Sequence, residues 1–160
     1  MKIGIIVYSY TGKTMLVAEN TAEYLRFDGH EVDLFCLEPK EPLNLKADEV
    51  EIKEMPETMR FDALLLGTPV HGGRMSAPMQ YYLNQTPSLE GLEIVFLVTH
   101  FFRREWGSVQ VLQDLKKQCE MIGGDVIGSV DIKWLSVIRK RAIRNTIKHL
   151  RSLFNKQAKN

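Results

Sequence analysis

The first fourteen residues constrain the fold more than any other stretch of this sequence. The apolar run Ile3–Tyr8 leads directly into Ser9–Thr14, and an amphipathic helical pattern follows at once. A strand, a hydroxyl-rich turn and a helix N-terminus in succession aim free backbone N–H groups at one point, where the helix dipole favours negative charge. This order predicts a phosphate-binding loop. On these residues alone, an ordinary helix cap by Ser or Thr is an equal alternative.

Five residues of this loop suit a phosphate. Ser9, Thr11 and Thr14 can each donate a hydroxyl hydrogen, Lys13 can add a positive charge, and Gly12 permits close approach of the backbone. The loop has neither the spacing of a nucleotide-hydrolase P-loop nor the glycine pattern of a dinucleotide-binding fold. Because both cysteines lie far from it, a phosphatase with a cysteine nucleophile is also disfavoured.

Strand and helix patterns alternate along the chain, without repeats or low-complexity linkers. Strands are predicted over Lys2–Tyr8, Glu31–Leu37, Phe61–Gly67, Leu92–Thr99 and Asp125–Trp134. Helices are predicted over Lys13–Asp28, Ser76–Asn84, Gly107–Ile122 and Ser136–Phe154, and the proline-containing segment Glu38–Arg60 is predicted as a loop around at most one short helix. The alternation predicts one α/β domain over residues 1–160. We expect a three-layer, doubly wound fold with a five-stranded parallel sheet in the order 2-1-3-4-5.

In open sheets of this kind, a ligand binds outside the carboxyl ends of the strands, where the strand order reverses. The loops after the first, third and fourth predicted strands all lie at that edge. The first loop would take a phosphate, and the other two would flank the group attached to it.

The sequence Ser9-Tyr10-Thr11-Gly12-Lys13-Thr14 resembles the S/T-x-T-G-x-T phosphate loop of the flavodoxins, small proteins that hold flavin mononucleotide (FMN) and transfer electrons. Strand-like runs at Ala63–Pro69 and Ile94–His100 extend the resemblance over essentially the whole chain, since flavodoxins place two flavin-ring loops after these strands. The resemblance implies FMN as the cofactor, with its phosphate on the first loop and its ring between the other two.

The second loop contributes the predicted cofactor contacts Thr68, Pro69, Val70, His71, Gly72 and Gly73. By the resemblance, the peptide at Gly72 or Gly73 meets the flavin N5 edge, and His71 lies against the isoalloxazine ring. Histidine is a poorer apolar cover than the side chains usual in the family and titrates near neutral pH, so it affects the reduction potential. The alternative is a plain Gly-Gly turn with His71 on the surface. Arg74 either pairs with the pyrimidine edge or is solvated.

The third loop contributes the predicted contacts Thr99, His100, Phe101, Phe102 and Trp106. Its three aromatic side chains can stack on a flat ring. Alternatively, Phe101 and Phe102 pack beneath the loop and Trp106 caps the next helix. The pair Arg103-Arg104 departs from the acidic flavin surround typical of flavodoxins. We therefore expect a less strongly reducing cofactor.

A flavodoxin-type carrier needs no acid, base or nucleophile, and the sequence shows no catalytic constellation. The sequence therefore favours an FMN-binding carrier of electrons between redox partners. The alternative is an FMN-dependent reductase of quinones or similar acceptors, in which His71, His100 or Arg103 would hold the substrate over the ring. A receiver domain is disfavoured because Ser9 and Thr68 stand where it needs acidic residues. A protein of this fold that docks a partner without flavin stays open.

The net charge is +1, but the charged residues are distributed unevenly along the chain. Residues 1–80 carry 8 Lys and Arg against 13 Asp and Glu, and residues 81–160 carry 13 against 7. The last helix is predicted to bury Leu135, Ile138, Ala142, Ile147, Leu150 and Phe154. Its other face carries Arg139, Lys140, Arg141, Arg144, Lys148 and Arg151. A solvated face is favoured over docking of an acidic redox partner or an anionic membrane, and nucleic-acid binding is disfavoured because no recognition motif accompanies the charge.

The remaining composition indicates a soluble, cytoplasmic protein. No apolar run has the length of a membrane span, and the N-terminus begins directly with a strand pattern rather than a signal peptide. Cys36 and Cys119 are expected to be thiols in a reducing compartment. The expected partner is a redox protein or a small-molecule electron acceptor.

Overall fold

The computed structural model describes residues 1–42, 50–101, 107–134 and 139–157, except for the side chains of Arg139 and Gln157. The strands are β1 (Lys2–Val7), β2 (Glu31–Cys36), β3 (Ala63–His71), β4 (Arg74–Met75), β5 (Glu93–His100) and β6 (Asp125–Lys133). The helices are α1 (Lys13–Phe27), α2 (Ala77–Gln85), α3 (Ser108–Met121) and α4 (Arg139–Gln157).

Five of the strands form a parallel sheet in the order β2-β1-β3-β5-β6. Without the short β4, this is the predicted order 2-1-3-4-5, so the predicted fold class is confirmed. The central strands β1, β3 and β5 are nearly continuous apolar runs and are buried on both faces. Such runs are typical of parallel strands that helices cover on both sides.

The two faces of the sheet carry separate hydrophobic cores. Alternate residues of a strand point to opposite faces, so Ile5 packs on the side of α1 and α4, whereas Ile6 packs on the side of α2 and α3. On the first side, Leu150 and Phe154 of α4 are fully buried. The burial predicted for these two residues and for Ile147 is confirmed, whereas Ala142 is only partly buried. Leu135 and Ile138 lie outside the described residues.

The third strand was predicted to end at Gly67, which is wrong, because β3 continues to His71. Gly72 and Gly73 have φ angles of 55° and 78°, and His71 pairs with Arg74 of the antiparallel strand β4. Positive φ at both central residues is the geometry of a type I′ turn, which joins two strands in a tight hairpin. The second predicted loop, which follows Gly67, is therefore a hairpin that extends the central strand β3 beyond the sheet.

The other observed boundaries of strands and helices deviate from the predicted ones by a few residues. The last helix continues to Gln157, three residues beyond its predicted end, and its predicted start at Ser136 lies outside the described residues. The predicted loop Glu38–Arg60 contains an isolated antiparallel bridge between Pro39 and Ile52. No described helix is long and apolar enough to cross a membrane.

A polar cluster fastens the end of α1 to α4. The carboxylate of Asp28 accepts hydrogen bonds from Nε of Arg151 at 2.7 Å, from a second guanidinium nitrogen, and from Nδ2 of Asn155 at 3.0 Å. Nε2 of His30 lies 2.7 Å from Oδ1 of Asn155. The hydrogen bonds from Arg151 and Asn155 lower the pKa of Asp28 to about 2. The cluster anchors the C-terminal half of α4 near the start of β2.

We expect Arg151→Met to lower the free energy of unfolding by about 1 kcal/mol at pH 7, since the pair is partly exposed. The folded-state pKa of Asp28 is below its ordinary value of 3.8, so this stabilisation is complete above about pH 5 and is lost as the pH falls towards 2. Urea unfolding at pH 7 and at about pH 3 measures the effect. The difference in the free energy of unfolding between variant and wild type should be smaller at the lower pH.

The matched control is Arg144→Met, which removes an exposed arginine of the same helix that has no ion pair among the described residues. It should leave the free energy of unfolding within about 0.5 kcal/mol of wild type. Equal losses in the two variants would contradict the anchoring role of Arg151.

Candidate functional site

The loop between β1 and α1 presents backbone N–H groups at the carboxyl edge of the sheet. Gly12 is the N-cap of α1, and its carbonyl accepts the N–H of Leu16 at 2.9 Å. The N–H of Met15 donates to Oγ of Ser9 at 3.1 Å. Within the described residues, the N–H groups of residues 11–14 have no hydrogen-bond partner. Four donors at a helix N-terminus form a site for an anion such as a phosphate.

Thr14, the last residue of this loop, is buried and pairs with Thr99. The hydroxyl oxygens of Thr14 and Thr99 are 2.8 Å apart, and the residues are 1% and 5% exposed. Two hydroxyl groups that bond to each other use one of their two protons, so the second proton stays available to another acceptor. The pair joins the start of α1 to the end of β5, which brings the first and third predicted loops together.

The side chain of Lys13 contacts aromatic rings. Its Nζ lies 3.9 Å from the ring centroid of Phe101 and 5.8 Å from that of Trp134. A cation over an aromatic face is attracted to the π electrons. The sequence suggested that Lys13 adds charge to the phosphate loop, whereas in this structure its ammonium group links α1 to the chain segments that follow β5 and β6. Trp134 was not predicted to take part.

The hairpin packs against the phosphate loop through His71. The imidazole ring lies edge-on to Tyr8 and Tyr10, with centroid distances of 5.9 and 5.7 Å. Burial lowers the pKa of His71 from its ordinary value, which favours the neutral ring. Burial also raises the pKa of Tyr8 to about 12, which keeps its phenol protonated. His71 is thus part of an aromatic cluster, and not the surface residue of the plain-turn alternative.

The hydroxyl of Thr68 has a structural role. Its Oγ1 lies 2.7 Å from Oγ of Ser76, and both residues are fully buried. The N–H of Ser76 also donates to Thr68 Oγ1, at 3.3 Å. The side chain of Thr68 is therefore unavailable to a ligand in this arrangement and instead fixes the start of α2. Pro69 and Val70 are partly buried and Gly72 is exposed, so these predicted contacts remain accessible.

Gly107 holds the hairpin close to the start of α3. A Cβ atom at this position would lie 2.7 Å from Cα of Gly73 and 2.8 Å from Cγ1 of Val70. The φ angle of Gly107 is 140°, which L side chains rarely adopt. Sequence reasoning did not assign Gly107 to the site but predicted it as the first residue of a helix, whereas it is the N-cap of α3.

The third predicted loop is described only in part. His100 is 6% exposed, and its Nε2 lies 3.1 Å from Oδ2 of Asp131. Phe101 is 37% exposed. Phe102 and Trp106 lie outside the described residues, as does the Arg103-Arg104 pair. Asp131 was missed because a single sequence gives no signal for a partner 31 residues away.

Comparison with known proteins assigns this architecture. The model of the NADPH-dependent FMN reductase family matches residues 1–132. Oxidised Flavodoxin 1 from Bacillus cereus superposes with a TM-score of 0.68 at 15% identity, covering 98% of each chain. A flavoprotein in complex with FMN from Lactobacillus acidophilus gives 0.65 at 19% identity, covering 81% of this chain and 92% of that one. These structural similarities confirm the flavodoxin-like fold, and the family indicates FMN as the cofactor.

We expect Gly107→Ala to displace the hairpin from α3 and to weaken FMN binding by on the order of tenfold, because the new methyl group would collide with backbone atoms of Gly73. Flavin fluorescence quenching measures the affinity, and urea unfolding measures the stability.

Gly91→Ala is the matched control. Gly91 also has a positive φ, 77°, but a Cβ atom there meets no atom within 4 Å. This variant should lose about 1–2 kcal/mol of stability from backbone strain alone and bind FMN normally. Unchanged FMN affinity in the folded Gly107→Ala protein would contradict a role of this contact in the site.

Proposed function

We propose that this chain, which belongs to the NADPH-dependent FMN reductase family, binds FMN at the carboxyl edge of its sheet and transfers electrons through it. The observation that carries this proposal is the set of four unpaired N–H groups at residues 11–14. They lie next to one another in sequence at the N-terminus of α1, where the helix dipole adds positive potential. A phosphate monoester is the part of FMN that such a site binds.

The residues of the phosphate loop fit this group. Ser9 accepts the N–H of Met15 and keeps its own hydroxyl proton for a phosphate oxygen. Thr11 is exposed beside the open N–H groups, so its hydroxyl can donate as well. The Thr14–Thr99 pair holds the loop from below and retains one free proton. Lys13 contributes positive potential from its position over Phe101.

The isoalloxazine ring would lie between the hairpin and the chain that follows β5. On the hairpin side, Gly72 offers an exposed backbone peptide, and His71 and Tyr10 form an aromatic wall. Phe101, which follows β5 and is 37% exposed, would contact the ring from that segment. When bound, FMN supplies one-electron and two-electron redox chemistry. Burial lowers the pKa of His71 and so disfavours a positive charge beside the ring.

The favoured role is that of an electron carrier between redox partners. Among the described residues of the three loops, the histidines are engaged in packing or pairing: His71 with two tyrosines and His100 with Asp131. Neither is presented as an acid or base to a bound substrate. Electron transfer through an exposed flavin edge requires no such group.

A reductase is the second candidate, and two observations favour it. The family to which the chain belongs is named for NADPH-dependent reduction of FMN. In addition, a cleft of about 420 Å³ opens beside the phosphate loop, lined by Tyr8, Ser9, Tyr10, Cys36 and charged residues of both signs, Glu38, Lys40, Glu41 and Lys53, among others. This cleft gives a second substrate access to the side of the site where Tyr10 lies.

We expect Thr11→Val to lower the affinity for FMN by on the order of tenfold, because a hydrogen bond to a charged phosphate is lost. Riboflavin, which lacks the phosphate, should bind wild type and variant equally. Isothermal titration with both flavins tests this. An equal loss for FMN and riboflavin would contradict phosphate binding by this loop.

Steady-state oxidation of NADPH by the FMN-loaded protein separates the two roles. For a carrier we expect no turnover without a further redox protein, and a one-electron reduced flavin should accumulate during stepwise reduction. Sustained NADPH oxidation with a quinone as acceptor would contradict the carrier and establish the reductase.

A further inference from the structure

The C-terminal part of the chain concentrates positive charge. Residues 132–160 contain nine Lys and Arg and no Asp or Glu, whereas residues 1–131 contain 12 Lys and Arg against 20 Asp and Glu. Residues 132–160 therefore have a net charge of +9, and residues 1–131 have a net charge of −8. Most of the positive charge lies on α4, whose 19 residues include seven Lys and Arg.

Four of these side chains form a basic face, defined here as Lys140, Arg141, Arg144 and Lys148. All four are exposed, and in the described parts of the chain none of them forms an ion pair. Arg151 differs, since Asp28 neutralises it. The basic face thus keeps its full charge for an external partner.

The charges of the basic face oppose the stability of α4. Lys140, Arg144 and Lys148 follow each other at i,i+4 spacing, where like charges repel. Lys140 and Arg141 also lie in the first turn of the described helix, where the helix dipole disfavours cations and no acidic residue compensates. A helix face that serves only solubility can mix both signs and gain from i,i+4 pairs. Accumulation of one sign against the dipole is better explained by a binding role.

The fold places the N-terminal part of the basic face, Lys140, Arg141 and Arg144, towards the edge of the sheet that carries the candidate flavin site, whereas Lys148 lies nearer the opposite edge. Arg151 contacts Asp28 near the start of β2, at the amino edge of the sheet. Arg141 lies ten residues earlier on α4, about 15 Å along the helix axis in the direction of the carboxyl edge. Trp134, which follows β6 at that edge, lies 5.8 Å from Nζ of Lys13 beside the phosphate loop.

We propose that the basic face of α4 docks an acidic redox protein beside the flavin. The inference rests on the proposed function for the identity of the partner as an electron donor or acceptor. In the complex, one electron leaves the reduced member and is taken up by the oxidised one, without bond formation. Complementary charge orients such partners and raises their association rate.

A membrane fits the basic face less well. Amphipathic helices at membrane surfaces insert large apolar side chains alongside their basic residues. On the described part of α4 no large apolar side chain is exposed, since the apolar residues pack towards α1 and β6. An acidic protein surface requires only the charges that are present.

Binding of fluorescent poly-L-glutamate tests the docking surface, measured by anisotropy on apo and FMN-loaded protein. The test variant is Arg141→Glu/Arg144→Glu. Its control, Lys116→Glu/Lys117→Glu, makes the same change of net charge on α3, on the opposite face of the sheet. Circular dichroism checks that both variants fold, and the salt dependence of the wild type gives a measurement without substitution.

We expect wild type to bind poly-L-glutamate with an affinity that falls as salt is added. The α4 variant should bind on the order of tenfold more weakly, and the α3 control within about twofold of wild type. Equal losses in both variants, or no binding by wild type, would overturn the proposal. Binding to phosphatidylserine vesicles in place of poly-L-glutamate would also overturn it.

Oxidation of the reduced, FMN-loaded protein tests whether the charge of the basic face affects electron transfer. Oxidation by the anion ferricyanide should slow with added salt, whereas oxidation by the cation hexaamminecobalt(III) should not. The same salt response for both oxidants would contradict a positive surface beside the flavin. Failure of FMN to bind would refute the proposed function, whereas binding of poly-L-glutamate to the apo protein would still decide whether the basic face docks acidic partners.

Discussion

Parallel hydrogen bonding of β1, β3 and β5 is the constraint on which the site depends. Because these neighbouring strands run in the same direction, their carboxyl ends meet at one edge, and the three predicted loops begin there. Burial of the strands on both faces fixes their register, since a slip by one residue would exchange the side chains of the two cores. The phosphate loop, the hairpin and the chain after β5 are thus placed by packing far from any ligand.

Short polar and steric contacts then hold these segments against each other. The Thr14–Thr99 hydroxyl pair joins α1 to β5, and the Thr68–Ser76 pair joins β3 to α2. Gly107 brings the start of α3 against the hairpin. Among the described residues that the sequence suggested as ligand contacts, some build the support, and others, such as Thr11 and Gly72, stay open to a ligand.

The sequence was sufficient to predict the alternation of strands and helices and the turn before α1, because both depend on local patterns: apolar runs, helical periodicity and a hydroxyl-rich turn. The strand order followed from the order known for five-stranded doubly wound sheets. The sequence was insufficient where contacts join distant segments. The role of Thr68 depends on Ser76, that of Lys13 on Phe101 and Trp134, and the pairing of His100 on Asp131. The extension of β3 was missed because a Gly-Gly turn suits a loop as well as a tight hairpin.

The central claim is that the backbone N–H groups of residues 11–14 bind the FMN phosphate. Amide chemical shifts of ¹⁵N-labelled protein, recorded with FMN and with riboflavin, test it most directly. The account predicts large downfield shifts of the amide protons of Thr11, Gly12, Lys13 and Thr14 with FMN and small ones with riboflavin. Equal shifts with both flavins, or FMN-induced shifts confined to other residues, would contradict it.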